Sequence, residues 1–156
     1  MKPHNISSAQ EVLEQNETAA FLTSGASMYP LLRTHKDIVV ISRVSFPLKV
    51  GDVALYKKQG FSKLVLHRVI GIKPNGEYII RGDNTYFNEN VSNQDILGVM
   101  IALYRGGKYI DCQTSKRYKI YVVTVRLFYP LRRLWVLKIR PMLSKIKHQI
   151  NSKTNL

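Results

Sequence analysis

The chain has 156 residues, a length that fits one domain with an appendage better than two independent domains. With 45% hydrophobic and 22% charged residues it is globular in composition, which excludes a disordered chain. The formal net charge is +14, and one cysteine, Cys112, excludes an intrachain disulfide framework and a cysteine-based metal site of the usual spacing. The charge is uneven. From Lys116 onward there are eleven Lys and Arg residues and no Asp or Glu, so the excess sits in the tail.

Met1 to Thr18 holds no apolar run of the ~7 to 15 residues a secretory signal needs, nor a membrane anchor. Ser8-Ala9-Gln10-Glu11 matches a capping box and predicts a short acidic helix over about Ala9 to Glu17. Val12 and Leu13 would then lie on a body, with Glu11, Glu14 and Glu17 facing water.

Between Asp37 and Tyr109 β-branched and aromatic runs are bounded by Gly, Pro, Asn and Asp. They predict strands over Ile38 to Val44, Asp52 to Lys57, Lys63 to Ile72, Glu77 to Arg81, Ile96 to Tyr104 and Lys108 to Cys112. Pro74-Asn75-Gly76 and Arg105-Gly106-Gly107 are turn signals, so antiparallel connections follow. The expected fold is mainly β, a small curled antiparallel sheet or partial barrel with a short N-terminal helix. Its expected divisions are the helix at 1–19, the β domain at 20–115 and a basic amphipathic tail at 116–156.

A membrane span is sought at Tyr118 to Ile139. Eleven aliphatic or Phe residues contribute roughly −5 kcal/mol there, whereas Arg126, Arg132 and Arg133 cost ~2.5 to 3.5 each on the same scale, so the segment does not span. Arg126, Phe128, Arg132, Arg133, Trp135 and Lys138 instead suit an interfacial helix pair on anionic lipid, broken near Pro130 and Pro141. Contact with a partner protein or with nucleic acid are the alternatives for this basic surface. The oligomeric state and the side of the membrane are not legible.

Ser27, in Thr23-Ser24-Gly25-Ala26-Ser27-Met28-Tyr29-Pro30-Leu31-Leu32, reads as a nucleophile on a loop, which requires a base. Of the four histidines, His4 and His148 lie in polar or basic termini and His35 in a polar turn. His67 lies in the strand Leu64 to Ile70, facing the side of Val65 and Val69. A carboxylate on the far ring nitrogen would fix its tautomer, and Asp83 in Arg81-Gly82-Asp83-Asn84 supplies one ahead of Asp52 and Asp37.

In order, Ser24-Gly25-Ala26-Ser27-Met28-Tyr29-Pro30, Gly51-Asp52-Val53, His67-Arg68-Val69 and Gly82-Asp83-Asn84 resemble the boxes of the type I signal peptidases and the related LexA-type self-cleaving peptidases. The resemblance covers Phe21 to Leu103 and implies a serine endopeptidase on a mostly β fold, cleaving leader or precursor peptides after small residues, without metal or cofactor. It carries the nucleophile onto Ser27, the base onto His67 and the supporting aspartate onto Asp83. His67 stands where most bacterial members and the repressors have lysine, so the chain is similar to the Ser/His branch of the endoplasmic reticulum and archaea. Ser24, Gly25, Met28 and Pro30 would line the oxyanion site and substrate groove. Gly25 supplies no hydroxyl two residues before the nucleophile, where some members carry one. The family's N-terminal anchor is also missing, and the basic tail would replace it, making the protein membrane-associated. Self-cleavage is disfavoured because the chain has no Ala-Gly or Cys-Gly bond. A catalytically silent β module that binds membrane or nucleic acid through the tail is the alternative from another class.

Overall fold

The computed structural model describes residues 6–58, 60 and 64–136. His4, Lys63, Lys138, Pro141 and His148 lie outside them. The chain forms two compact units divided between Lys119 and Ile120.

The first unit is mainly β, as expected, and its sheet does not close. Its elements are α1 (Ile6–Gln15), β1 (Thr18–Leu22), β2 (Ile38–Arg43), β3 (Val53–Lys57), β4 (Leu64–Ile72), β5 (Tyr78–Arg81), β6 (Glu89–Val91), β7 (Ile96–Arg105) and β8 (Lys108–Asp111). The six predicted strands are present to within one or two residues. β1 and β6 were not predicted. All pairings are antiparallel, in the order β1-β2-β7-β3-β4-β5-β6 with β8 also on β7.

β7 is the seam. One edge carries β2, and the other is shared by β3 near Ile96 to Val99 and β8 from Ala102 to Arg105. Gly106 and Gly107, both at positive φ, form the tight turn that returns β7 into β8. Leu48, Ala54, Tyr56, Val69, Tyr78, Ile80, Val91 and Ile96 pack as one buried cluster across β3 to β7. Among the described residues no buried side-chain nitrogen or oxygen lacks a hydrogen bond.

α1 begins at Ile6, so Ser8 lies inside the helix and does not cap it, a correction to the capping box. Its other end accounts for the difference in position. Arg43 Nε and Nη2 donate to the Leu13 carbonyl at 3.1 and 2.9 Å, Nη2 also bonds the Glu14 carbonyl, and Asn16 Nδ2 takes that of Val12. The Leu13 and Glu14 carbonyls, past the last intrahelical donors, are thereby satisfied where the helix stops at Gln15 and releases β1 into the sheet. Leu13 is buried and Glu11, Glu14 and Glu17 are exposed, as the pattern requires.

α2 (Lys116–Leu134) starts in the first unit, with Tyr118 buried there, and continues into the second. It runs through Pro130 without the expected break. A proline at that position removes one bond, to the Arg126 carbonyl, and Pro130 is exposed, so water can satisfy the freed group. No described helix is long and apolar enough to cross a membrane.

The long β1–β2 connection, residues 23–37, is closed on itself by buried Asp37. The Thr23 N–H and hydroxyl both donate to the Asp37 carbonyl, at 3.1 and 2.9 Å. The Asp37 carboxylate accepts from the Arg33 N–H at 2.9 Å and from the guanidinia of Arg33 and Arg105. Arg105 also holds the Pro30 and Leu31 carbonyls, tying the loop to the end of β7.

Burial alone would raise the Asp37 pKa, but the Arg33 and Arg105 bonds outweigh it and hold the carboxyl at about 2. The group is depressed in the fold, so its stabilisation is complete above the unfolded value near 4 and is lost as pH falls toward 2. Asp37→Asn is expected to cost about 3 kcal/mol at neutral pH, with the difference from wild type shrinking below pH 4. Denaturant melts of both proteins across that range measure it.

Candidate active site

The Ser27 loop and β4 meet at the turn Gly82-Asp83-Asn84, which follows β5. The Asn84 N–H donates to the Ser27 carbonyl at 2.7 Å and Asn84 Nδ2 to the Ala26 carbonyl at 2.9 Å, so this turn grips the Ser27 loop. Asp83 takes Arg68 of β4 in a buried two-pronged pair, with Nε to Oδ1 at 2.8 Å and Nη2 to Oδ2 at 2.6 Å. Arg68 Nη1 reaches the Gly51 carbonyl at 2.7 Å and the Tyr118 hydroxyl at 3.3 Å. Burial would lower the Arg68 pKa, but Asp83 reverses that and the guanidinium stays charged.

Gly82 itself sits between the two proposed reacting groups. A Cβ there would lie 2.7 Å from the Ser27 carbonyl oxygen and 2.9 Å from His67 Nε2. The absence of a side chain therefore lets the Ser27 backbone and the imidazole edge approach the same point. His67 is 6% exposed and Ser27 is half-buried, so one is shielded and the other reachable. Ser27 N–H has no hydrogen-bond partner among the described residues, and is left as a donor at the site.

The far ring nitrogen of His67 has partners that the sequence did not point to. Nδ1 lies 3.1 Å from the Tyr56 hydroxyl and 3.4 Å from Glu89 Oε1. The β3–β4 register sets Ala54 opposite His67, so Tyr56, two residues on, is its diagonal neighbour on the same face. Glu89 opens β6 and is also paired with Lys58 at 2.7 Å. Glu89 Oε1, which can only accept, lies beside Nδ1 and favours the proton there, so Nδ1–H points toward Glu89 and the Tyr56 hydroxyl. That tautomer leaves the Nε2 lone pair on the Gly82 side. Burial lowers the His67 pKa below the usual histidine value, against the opposing charge of Glu89, which keeps the ring neutral near pH 7.

Asp83 is thus close to His67 in sequence order and bears on its charge through space, but its two oxygens hold Arg68. The carboxylate at Nδ1 is that of Glu89. Asp52 accepts the Lys49 N–H in a turn and Asp37 closes the loop, so neither faces the imidazole as its orienter. His35 is exposed at a positive φ. Ser24 and Gly25 are exposed on the Ser27 loop, the Gly25 carbonyl accepting from Thr34 Oγ1 at 2.5 Å. Met28 is buried under the loop, and Pro30 is exposed after a cis peptide bond. Arg126, Phe128, Arg132, Arg133 and Trp135 belong to the second unit. No group of three or more metal-ligating side chains occurs among the described residues. No protein-family model matches the chain, and no curated protein matches it.

Two substitutions separate positioning from support. Gly82→Ala pushes a methyl against the Ser27 backbone, and is expected to slow acylation of Ser27 by about a hundredfold while the fold survives, measured as labelling rate beside a thermal melt. Asp83→Asn leaves the Arg68 guanidinium buried without its carboxylate and is expected to cost ~3–5 kcal/mol in urea unfolding. Loss of rate with no loss of stability would instead tie Asp83 to His67.

Proposed function

We propose that the chain is a signal-peptidase-like serine endopeptidase that cleaves leader or precursor peptides after small residues. The observation that carries the reading is the convergence of the Ser27 carbonyl and His67 Nε2 on Gly82. In the proposed reaction Ser27 Oγ attacks the peptide carbonyl carbon as its proton passes to His67 Nε2. The new C–O bond places a negative charge on the carbonyl oxygen, which the Ser27 N–H is free to meet. Ser24, an exposed hydroxyl on the same loop, is the candidate for a second donor.

Collapse of that intermediate breaks the C–N bond, and the imidazolium returns its proton to the leaving amine. Water then attacks the acyl-enzyme with His67 again as base, releasing the acid and restoring Ser27. Tyr56 and Glu89 hold the ring and offset the positive charge it acquires. The mechanism draws on no metal or cofactor. The basic tail holds this enzyme peripherally at a membrane surface, where leader peptides are presented.

A serine-acylating penem is expected to label wild-type protein at Ser27 and to leave Ser27→Ala and His67→Ala unlabelled. Failure to label the folded wild-type protein leaves the catalytically silent β module as the reading. For a leader peptide substrate, kcat/KM is expected to rise through a pKa below ~6.5 and then level. Glu89→Gln removes a charge that favours the imidazolium, so its acidic limb is expected to move to lower pH. A profile still climbing above pH 9 would assign the base to a lysine.

A further inference from the structure

The part of α2 in the second unit is apolar on two sides, and one of them is uncovered. At 100° per residue, Ile120, Val123, Leu127, Phe128, Leu131 and Leu134 fall on an arc of about 140°. All six are exposed, Ile120, Leu127 and Leu131 at 66%, 67% and 62%. The other side, with Tyr121, Val122, Val125 and Tyr129, is half-buried. The exposed stripe is therefore distinct from the half-covered side of the helix. Lys119 and Arg126 border one edge of the arc, Arg132 borders the other, Arg133 is exposed on the far side, and Trp135 is exposed just beyond the last turn.

We propose that this stripe is a docking face for an anionic lipid surface, with the helix lying in the headgroup layer, its apolar arc toward the acyl chains and its bordering cations on phosphates. The assignment stands whether or not Ser27 is a nucleophile. Charge complementarity selects the occupant. From residue 116 onward every charged side chain is cationic, which matches a surface of one sign and lacks the alternating charges that register a partner helix. Nucleic acid would satisfy the cations and leave six large apolar side chains in water. A bilayer surface satisfies both, and the helix has the width of apolar face and the interfacial Trp and Phe that such a layer takes up.

Full-length protein is mixed with vesicles of phosphatidylcholine alone and of phosphatidylcholine with equimolar phosphatidylglycerol. Binding is read by co-sedimentation and by the emission of Trp135, the only tryptophan in the chain. The mixed vesicles are expected to bind and blue-shift Trp135, with affinity falling as salt rises, and the neutral vesicles to bind at least tenfold more weakly. Leu127→Glu with Leu131→Glu, both exposed, is expected to lose about a hundredfold, since each leucine transferred from water is worth about tenfold. Far-UV circular dichroism confirms that the variant keeps its helix. The proposal is overturned by no vesicle binding, by equal binding to neutral vesicles, or by an unaffected leucine variant. It is equally overturned if that variant abolishes tight binding to DNA or RNA, or abolishes a dimer seen by gel filtration, while lipid binding is unchanged. Penem labelling of the same samples reports on Ser27 separately.

Discussion

The ion pair between Arg68 and Asp83 is the constraint on which the arrangement of the first unit depends. Both side chains are almost wholly buried, and a charge in that position is costly unless its partner is well placed. Here both guanidinium prongs that face Asp83 are bonded, and a third nitrogen takes the Gly51 carbonyl and the Tyr118 hydroxyl. The pair is best understood as a device for registration. It fixes the Gly82-Asp83-Asn84 turn against β4, and that turn holds the Ser27 loop through Asn84 while Gly82 faces His67. Adjacent residues on β4 point to opposite faces, so Arg68 can anchor on one side while His67 presents its imidazole on the other. Tyr118 extends the anchor to the first turn of α2, where burial pushes its phenol up to about 12 and keeps it a neutral donor and acceptor.

A second set of charges restrains the Ser27 loop from the other end. Asp37 gathers Arg33 from within the loop and Arg105 from β7, and Arg105 continues to the carbonyls of Pro30 and Leu31. The fifteen-residue connection between β1 and β2 is therefore held at its base by Asp37, along its return by Arg105 and at its tip by Asn84. A long connection ordinarily carries high conformational freedom, and a nucleophile on it would spend little time in one place. The three attachments remove that objection for Ser27 and leave the residues around it, Ser24 to Ala26, exposed.

What was legible in the sequence follows the range of the interactions involved. Six strands could be read because β-branched runs ended at strong turn signals, as at Gly106-Gly107. β1 could not, since Thr18-Ala19-Ala20-Phe21-Leu22 has two alanines and becomes a strand only by pairing with β2. β6 is three residues long and opens with Glu-Asn, a loop composition, and it is held by β5. The meeting of the Ser27 loop and His67 at Gly82 could be expected from the order of the four boxes, but the place of Tyr56 and Glu89 could not. Their place at Nδ1 arises from strand register across β3, β4, β5 and β6, which no local spacing encodes. Asp83 was legible as a carboxylate at a glycine turn, while its hydrogen-bond partner proved to be Arg68 and not the neighbouring histidine, because sequence order does not say which face of β4 a turn will meet.

The surroundings of His67 suit a histidine better than a lysine as a proton acceptor. Burial disfavours the charged form of either side chain. A lysine begins near ~10.4 and must be lowered by several units before it can accept a proton at neutral pH, whereas histidine begins near ~6.5 and needs little. Too much desolvation would then make the imidazole too weak a base. Glu89 counters that by favouring the imidazolium, and Lys58, bonded to Glu89, moderates the counterweight. Burial and the Glu89 charge, acting in opposite directions, leave a neutral ring that can still take a proton when a neighbouring negative charge develops. In the proposed reaction that charge appears on the carbonyl oxygen beside Ser27, so the base is strengthened at the step that requires it and is otherwise kept uncharged within the fold.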